Sequence, residues 1–281
     1  MLNALTIDVE DYYHVSGFES LIRIEHWDLY ESRVEQNTHR LLDLLDAYQT
    51  KATFFVLGWV VERHPHLVRA IQVRGHEVAS HGYAHRRIYM QTPDEFRQET
   101  RRALRILEDT TGQRIFGYRA ASYSITEASL WALEILQEEG FTYDSSIFPI
   151  HHDRYGIPGY QRFCHVINGH AGNRLLEFPI STVRLAGSNI PIAGGGYLRL
   201  FPYALIRWGI QRINARDGQP ALVYLHPWEI DPGQPRIQAS ALARFRHYVN
   251  LEKTEQRLIR LLQDFAFGTV LAVLKEQGLL S

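Results

Sequence analysis

The sequence predicts an α/β protein built on a mostly parallel sheet, a distorted (β/α)7-type barrel. Three observations predict it. Short apolar runs of strand length alternate with helical patterns along most of the chain. About seven such strand–helix units follow one another, which favours a barrel over an open sheet. No linker-like stretch divides the 281 residues, so 1–281 read as one domain.

Each element has its own signal. Residues 4–9 form an apolar strand that ends in Asp8, Glu10 and Asp11. Leu41, Leu42, Leu44, Leu45 and Tyr48 give the segment from Asn37 to Tyr48 a helical stripe. Residues 52–57 are a second strand, with Gly58 and Trp59 at its end. Pro65 opens a helix that Gly75 stops, and a third strand leads to His81 and His85. Thr92, Pro93 and Glu95 form a capping box that starts a helix running to about Thr110. Strands at 115–119 and 141–144 deliver Arg119 and Asp144, with a helix from Thr126 to Gly140 between them.

Residues 149–173 lack periodicity and read as a long loop with room for a hairpin. A sixth strand at 175–180, a Gly-rich loop at 194–196, a helix at 201–215 and a seventh strand at 221–225 follow. The last strand ends in His226, Pro227, Trp228 and Glu229, and a charged amphipathic helix at 252–265 comes near the end.

Composition narrows the function classes. A net charge of −1 offers no general field for nucleic acid or a membrane surface. The lone Cys164 can form no internal disulfide. No apolar run reaches bilayer-spanning length and no export signal is visible, so the expected location is cytoplasmic, without an integral membrane segment.

The chemistry gathers at strand ends. His81 and His85 are four apart, a spacing with which two imidazoles can grip one metal ion. Asp8, Glu10 and Asp11 end the first strand, Arg119 the fourth, Asp144 the fifth and His226 the seventh. In a parallel barrel these ends share one face. Two histidines and a carboxylate leave a coordination position open, a second acid can serve as base, and His226 can protonate a leaving group. That set suits metal-assisted hydrolysis of an amide or ester. On an extended strand Asp8 and Glu10 share a face, whereas a turn beginning at Val9 favours Asp11. Either Glu10 or Asp11 can complete the metal site.

Five segments in this order resemble the NodB-homology polysaccharide deacetylases, carbohydrate esterase family 4. They are residues 6–11, 80–85 (Ser-His-Gly-Tyr-Ala-His), 118–122, 143–149 and 225–226. Further strings at 8–12, 194–202, 226–229 and 245–250 are similar to a branch that accompanies exopolysaccharide biosynthesis and exosortase systems. The resemblance implies the NodB deacetylase fold, with about 235–281 as a family-specific C-terminal extension. It implies a hydrolase that removes N-acetyl groups from amino-sugar units of an exopolysaccharide or its lipid- or nucleotide-linked precursor.

Residue roles follow from the same resemblance. Asp8 is the base, His81 and His85 hold the metal with Glu10 or Asp11, and Arg119 pairs with Asp8. His226 is the acid, and Asp144 orients it. A backbone N–H near Ser122 stabilises the oxyanion, while Tyr123, Tyr197 and Trp228 are substrate-contact candidates. The metal implied is Zn2+, with Co2+, Ni2+, Fe2+ or Mn2+ as alternatives, and the partner is an N-acetylated saccharide. A small cyclic amide or imide substrate, or a silent glycan-binding protein, are the competing readings. The third motif departs from the family pattern, with Ala121 and Ser122 where Pro and Tyr are usual.

Overall fold

The computed structural model describes residues 1–168 and 174–280; positions 169–173 of the expected 149–173 loop lie outside the described residues. The chain opens with β1 (Asn3–Val9), α1 (Val34–Ala47), β2 (Thr53–Val56), α2 (Gly58–Arg63) and α3 (Pro65–Val73). Next come β3 (Glu77–Ser80), α4 (Pro93–Thr111), β4 (Gly117–Tyr118), α5 (Trp131–Glu138) and β5 (Tyr143–Asp144). Then follow β6 (His165–Asn168), β7 (Arg174–Glu177), β8 (Thr182–Leu185), β9 (Ser188–Pro191), α6 (Gly195–Leu200) and α7 (Tyr203–Arg212). The chain closes with β10 (Leu222–Leu225), α8 (Ala241–Tyr248), α9 (Leu251–Asp264), β11 (Phe267–Gly268) and α10 (Val270–Glu276).

These elements form two compact units. The first comprises residues 1–53, 74–77 and 192–281. Its spine is β1, paired in parallel with β10 and β11. All seven residues of β1 are buried, so the strand reads as a continuous apolar run rather than an alternating one. Asn3, Thr6 and Asp8 are its polar residues, and the Thr6 hydroxyl donates to Val223 O at 3.0 Å. The α9 helix buries Leu251, Leu258, Leu261 and Leu262 along one stripe while its other face is charged.

The Gly-rich loop has a packing reason. A Cβ on Gly194 would lie 1.8 Å from Tyr224 O, and one on Gly195 would lie 2.6 Å from the Tyr224 ring. Both residues also have positive φ. The loop therefore closes directly onto β10.

The second unit comprises residues 54–73 and 78–191. Its strands run in the order β2-β3-β4-β5-β7-β6. The β3–β4, β4–β5 and β5–β7 pairs are parallel, while β6 returns antiparallel to β7. A second antiparallel hairpin, β8–β9, follows. The α4 helix begins in the expected capping box of Thr92 and Glu95 and ends at left-handed Gly112. The sequence reading missed α2, a six-residue helix at the end of the second strand. Gly58 begins it because a Cβ there would meet the Tyr83 ring at 2.7 Å and Ala103 at 3.3 Å.

Candidate active site

At the end of β1 three acids separate by what holds them. Asp11 is fully buried, and its carboxylate caps α1. Oδ2 accepts from Arg33 N at 2.8 Å, Val34 N at 3.0 Å and Ser32 Oγ at 2.9 Å; Oδ1 accepts from Tyr12 N at 3.0 Å. Burial pushes this carboxyl up, and the four donors oppose that shift. Asp8 and Glu10 point elsewhere. Both are 2% exposed, and their oxygens lie 3.9 and 3.8 Å from His226 Nε2. An extended strand through Val9 puts them on one face.

His226 follows β10 and starts a short turn, with Pro227 at its first position and Glu229 N donating back to His226 O at 3.1 Å. Its side chain is 16% exposed, which leaves an edge open to a reactant. Nδ1 lies 2.6 Å from Glu229 Oε1, and the same oxygen accepts from His226 N at 3.1 Å. Burial alone would lower this imidazole, but Glu10, Glu229 and Asp8 outweigh it and push it up to about 9. Glu229 Oε2 in turn accepts from Arg199 Nε at 2.6 Å. Burial would raise the Glu229 carboxyl; Arg199 and His226 together hold it below the usual range.

Where the resemblance places Asp144 beside the acid, the structure places Glu229. Asp144, in the second unit, has its own partners. Oδ1 accepts from Ser146 Oγ at 2.5 Å and Oδ2 from Ser146 N at 3.2 Å. It also shares a hydrogen bond with Glu177, equally buried, whose carboxyl burial and the Asp144 charge drive well upward. Burial pushes both carboxyls up, Glu177 further because the Asp144 charge adds to it.

The His81–His85 loop is fastened at several points within the second unit. Gly58 N and Trp59 N, at the start of α2, donate to Gly82 O and Tyr83 O at 2.9 and 3.0 Å. Ala84 N donates to Glu99 Oε1 on α4 at 3.0 Å. His85 holds a positive φ of 51°, a costly conformation for a non-glycine residue. The two imidazole centroids are 5.4 Å apart. His81 Nδ1 lies 2.8 Å from Arg119 O, which can only accept, so Nδ1 carries the hydrogen and Nε2 keeps its lone pair. A metal ligand needs that tautomer, and a carbonyl behind the ring is its usual support. This pair therefore fits a metal ion.

Arg119 is fully buried and donates to Ser145 O and Ser145 Oγ at 3.1 and 2.9 Å, with its guanidinium 4.1 Å from the Phe55 ring centre. Ser122 and Tyr123 have φ of 53° and 52°, two consecutive left-handed residues where the third motif lacks proline. Tyr123 N is engaged by Ala120 O. Tyr197 is half-buried on α6. Trp228 is 4% exposed and stacks on His226 at 5.1 Å and on His247 at 4.1 Å. Its ring faces are covered by these two imidazoles, which corrects the expectation that it offers a face to a sugar.

Sequence reasoning assigned no role to Glu229, Arg199, Glu177 or Glu99. The capping-box spacing from His226 to Glu229 was a usable signal for the first. Arg199 and Glu177 come from distant strings that only the fold brings to their partners.

Residues 27–143 match the family model described as polysaccharide deacetylase, and residues 145–275 match a domain of unknown function, DUF3473. A peptidoglycan deacetylase-like protein, FGM2, of Gibberella zeae is 33% identical over 110 residues, 38% of this chain and 32% of that protein. A peptidoglycan deacetylase of Helicobacter pylori is 31% identical over 114 residues, 41% of this chain and 37% of that protein. A chitooligosaccharide deacetylase of Bradyrhizobium is 32% identical over 99 residues, 35% of this chain and 43% of that protein. The chain thus spans about a third of the length of the first two relatives.

Among solved structures, a candidate polysaccharide deacetylase from Mycobacterium smegmatis aligns with a TM-score of 0.63 at 22% identity, over 99% of this chain and 91% of that one. The Puue allantoinase aligns with a TM-score of 0.62 at 17% identity, over 98% and 89%. These likenesses establish the α/β fold predicted from the strand–helix alternation. At such identities they speak for the fold alone.

Proposed function

We propose that this chain, whose residues 27–143 match the polysaccharide deacetylase family model, hydrolyses the N-acetyl groups of amino-sugar units. The substrate proposed is an exopolysaccharide or its lipid- or nucleotide-linked precursor, and residues 1–281 serve the reaction as one domain. One observation carries this reading beyond the family. Two buried carboxylates, Asp8 and Glu10, face the Nε2 of a half-buried histidine whose other nitrogen is already engaged.

His81 and His85 are the proposed metal ligands, with Glu10 as the acid that joins them. Asp11 is the weaker candidate because four donors already occupy its carboxylate. Zn2+ suits two imidazoles and a carboxylate, and Co2+, Ni2+, Fe2+ or Mn2+ are acceptable substitutes. A divalent ion there supplies Lewis acidity to the reaction. Asp8 accepts the proton of the attacking water. His226 donates a proton to the departing sugar nitrogen, so that acetate and a free amine result. Arg119 contributes the buried positive charge of the third motif, and the strained Ser122–Tyr123 turn is the proposed neighbour of the developing oxyanion.

The test is acetate release by wild type and Asp8→Asn on two panels, N-acetylhexosamine oligomers and cyclic amides. The proposal expects release from the oligomers and a fall of about 10²–10⁴-fold in the variant. Turnover confined to cyclic amides would support the small-substrate alternative. Glycan binding with no turnover by wild type would support the silent binder.

A further inference from the structure

We propose that Glu229, gripped by Arg199, is the positioning residue for His226, fixing its imidazole with Nδ1–H inward and Nε2 toward Asp8 and Glu10. This deepens the reading above and rests on it, since it takes His226 as the proton donor.

The argument is one of donors and acceptors around one buried carboxylate. Three groups converge on Glu229: the backbone N of His226 at 3.1 Å, its Nδ1 at 2.6 Å, and Arg199 Nε at 2.6 Å. The backbone N–H and the guanidinium can only donate. Glu229 is 0% exposed and sits beside a guanidinium, so its carboxylate is ionised and can only accept. The hydrogen between it and the imidazole therefore belongs to Nδ1. That leaves Nε2 as the nitrogen that gains and loses the reacting proton.

Arg199 is itself immobilised. It is 2% exposed, and its remaining nitrogens donate to His247 O at 2.7 Å, Val249 O at 3.1 Å and Arg246 O at 3.1 Å. These carbonyls belong to the end of α8 and the turn into α9. The ring of His226 is held from the side as well, by Trp228 stacked between it and His247. Residues 199, 229 and 246–249 all fall in the stretch matched as a domain of unknown function. One task of that stretch, on this inference, is to hold the proton donor rigid.

A glutamine cannot replace Glu229. Arg199 requires an oxygen on its side, which turns the amide NH2 toward His226. Nδ1 must then accept, and the neutral ring carries its hydrogen on Nε2. Histidine-labelled protein, with the His226 signals assigned by His226→Gln, reports this directly in long-range 1H–15N spectra. Wild type is expected to hold Nδ1 protonated, and Glu229→Gln to invert the tautomer. On N-acetylated oligomers the variant is expected to lose about 10²-fold in kcat with KM within about twofold.

Should Glu229→Gln fail to fold, Arg199→Lys keeps the charge but cannot make all four bonds. It is expected to lose about 10-fold in kcat with the tautomer preserved. A wild-type His226 whose neutral form is protonated on Nε2 would overturn the proposal, as would a folded Glu229→Gln with unchanged kcat. The spectrum needs no turnover, so a wild type that releases no acetate would sink the deacetylase reading while the tautomer still decides this one.

Discussion

Asp8, Glu10 and Asp11 lie within four residues, yet their surroundings separate a capping carboxylate from two that face His226. Spacing alone left Glu10 and Asp11 equivalent, because the direction of the chain after Val9 decides which acid faces His226. In the structure β1 ends at Val9, Asp8 and Glu10 both face His226 Nε2, and Asp11 turns to the start of α1. Asp11→Ala should therefore act on stability. Loss of the cap costs about 1–2 kcal/mol, and the buried N–H groups left without it add to that. Urea unfolding should show the loss; full stability with a changed metal affinity would reverse the assignment. The role of Glu229 was less legible, because its second partner, Arg199, lies thirty residues upstream.

Element-scale features were legible where local chemistry sets them. The capping box at Thr92, the glycine stop at Gly112 and the apolar run of β1 stand where their residues predict. The hairpin β8–β9 was missed because its strands are short and half exposed. The α2 helix was missed because six residues carry too little periodicity. In the Gly-rich loop, Gly194 and Gly195 answer to contact with Tyr224. Gly194→Ala should consequently unfold the protein or yield it insoluble. Gly187→Ala, also at positive φ but with open space around it, should cost about 1–2 kcal/mol. Equal thermal midpoints for the two variants would contradict the close approach to β10.

For the molecule as a whole, two histidines set opposite limits on stability in metal-free protein. His76 is buried and accepts a hydrogen bond from Ala52 N at 3.2 Å; burial, then the Lys51 charge, lower it to about 4. The unfolded chain binds that proton more readily, so His76 contributes stability above about pH 6.5 that is lost as pH falls toward 4. His226 is shifted the other way, so its contribution is present below about pH 6.5 and is lost as pH rises toward 9. Stability to urea should peak near pH 6–7. His226→Gln should remove the alkaline decline, and a decline unchanged in that variant would show that other groups cause it. Among the described residues, no helix is long and apolar enough to cross a membrane.

The proposed deacetylation of N-acetylated sugars requires a metal ion held by His81 and His85. Its most direct test is acetate release from N-acetylglucosamine oligomers before chelation, after chelation, and after Zn2+ is returned. The account predicts release that chelation abolishes and Zn2+ restores, with no restoration in His81→Ala. Release that chelation leaves unchanged, or no release from any N-acetylated oligomer with the metal bound, would contradict it.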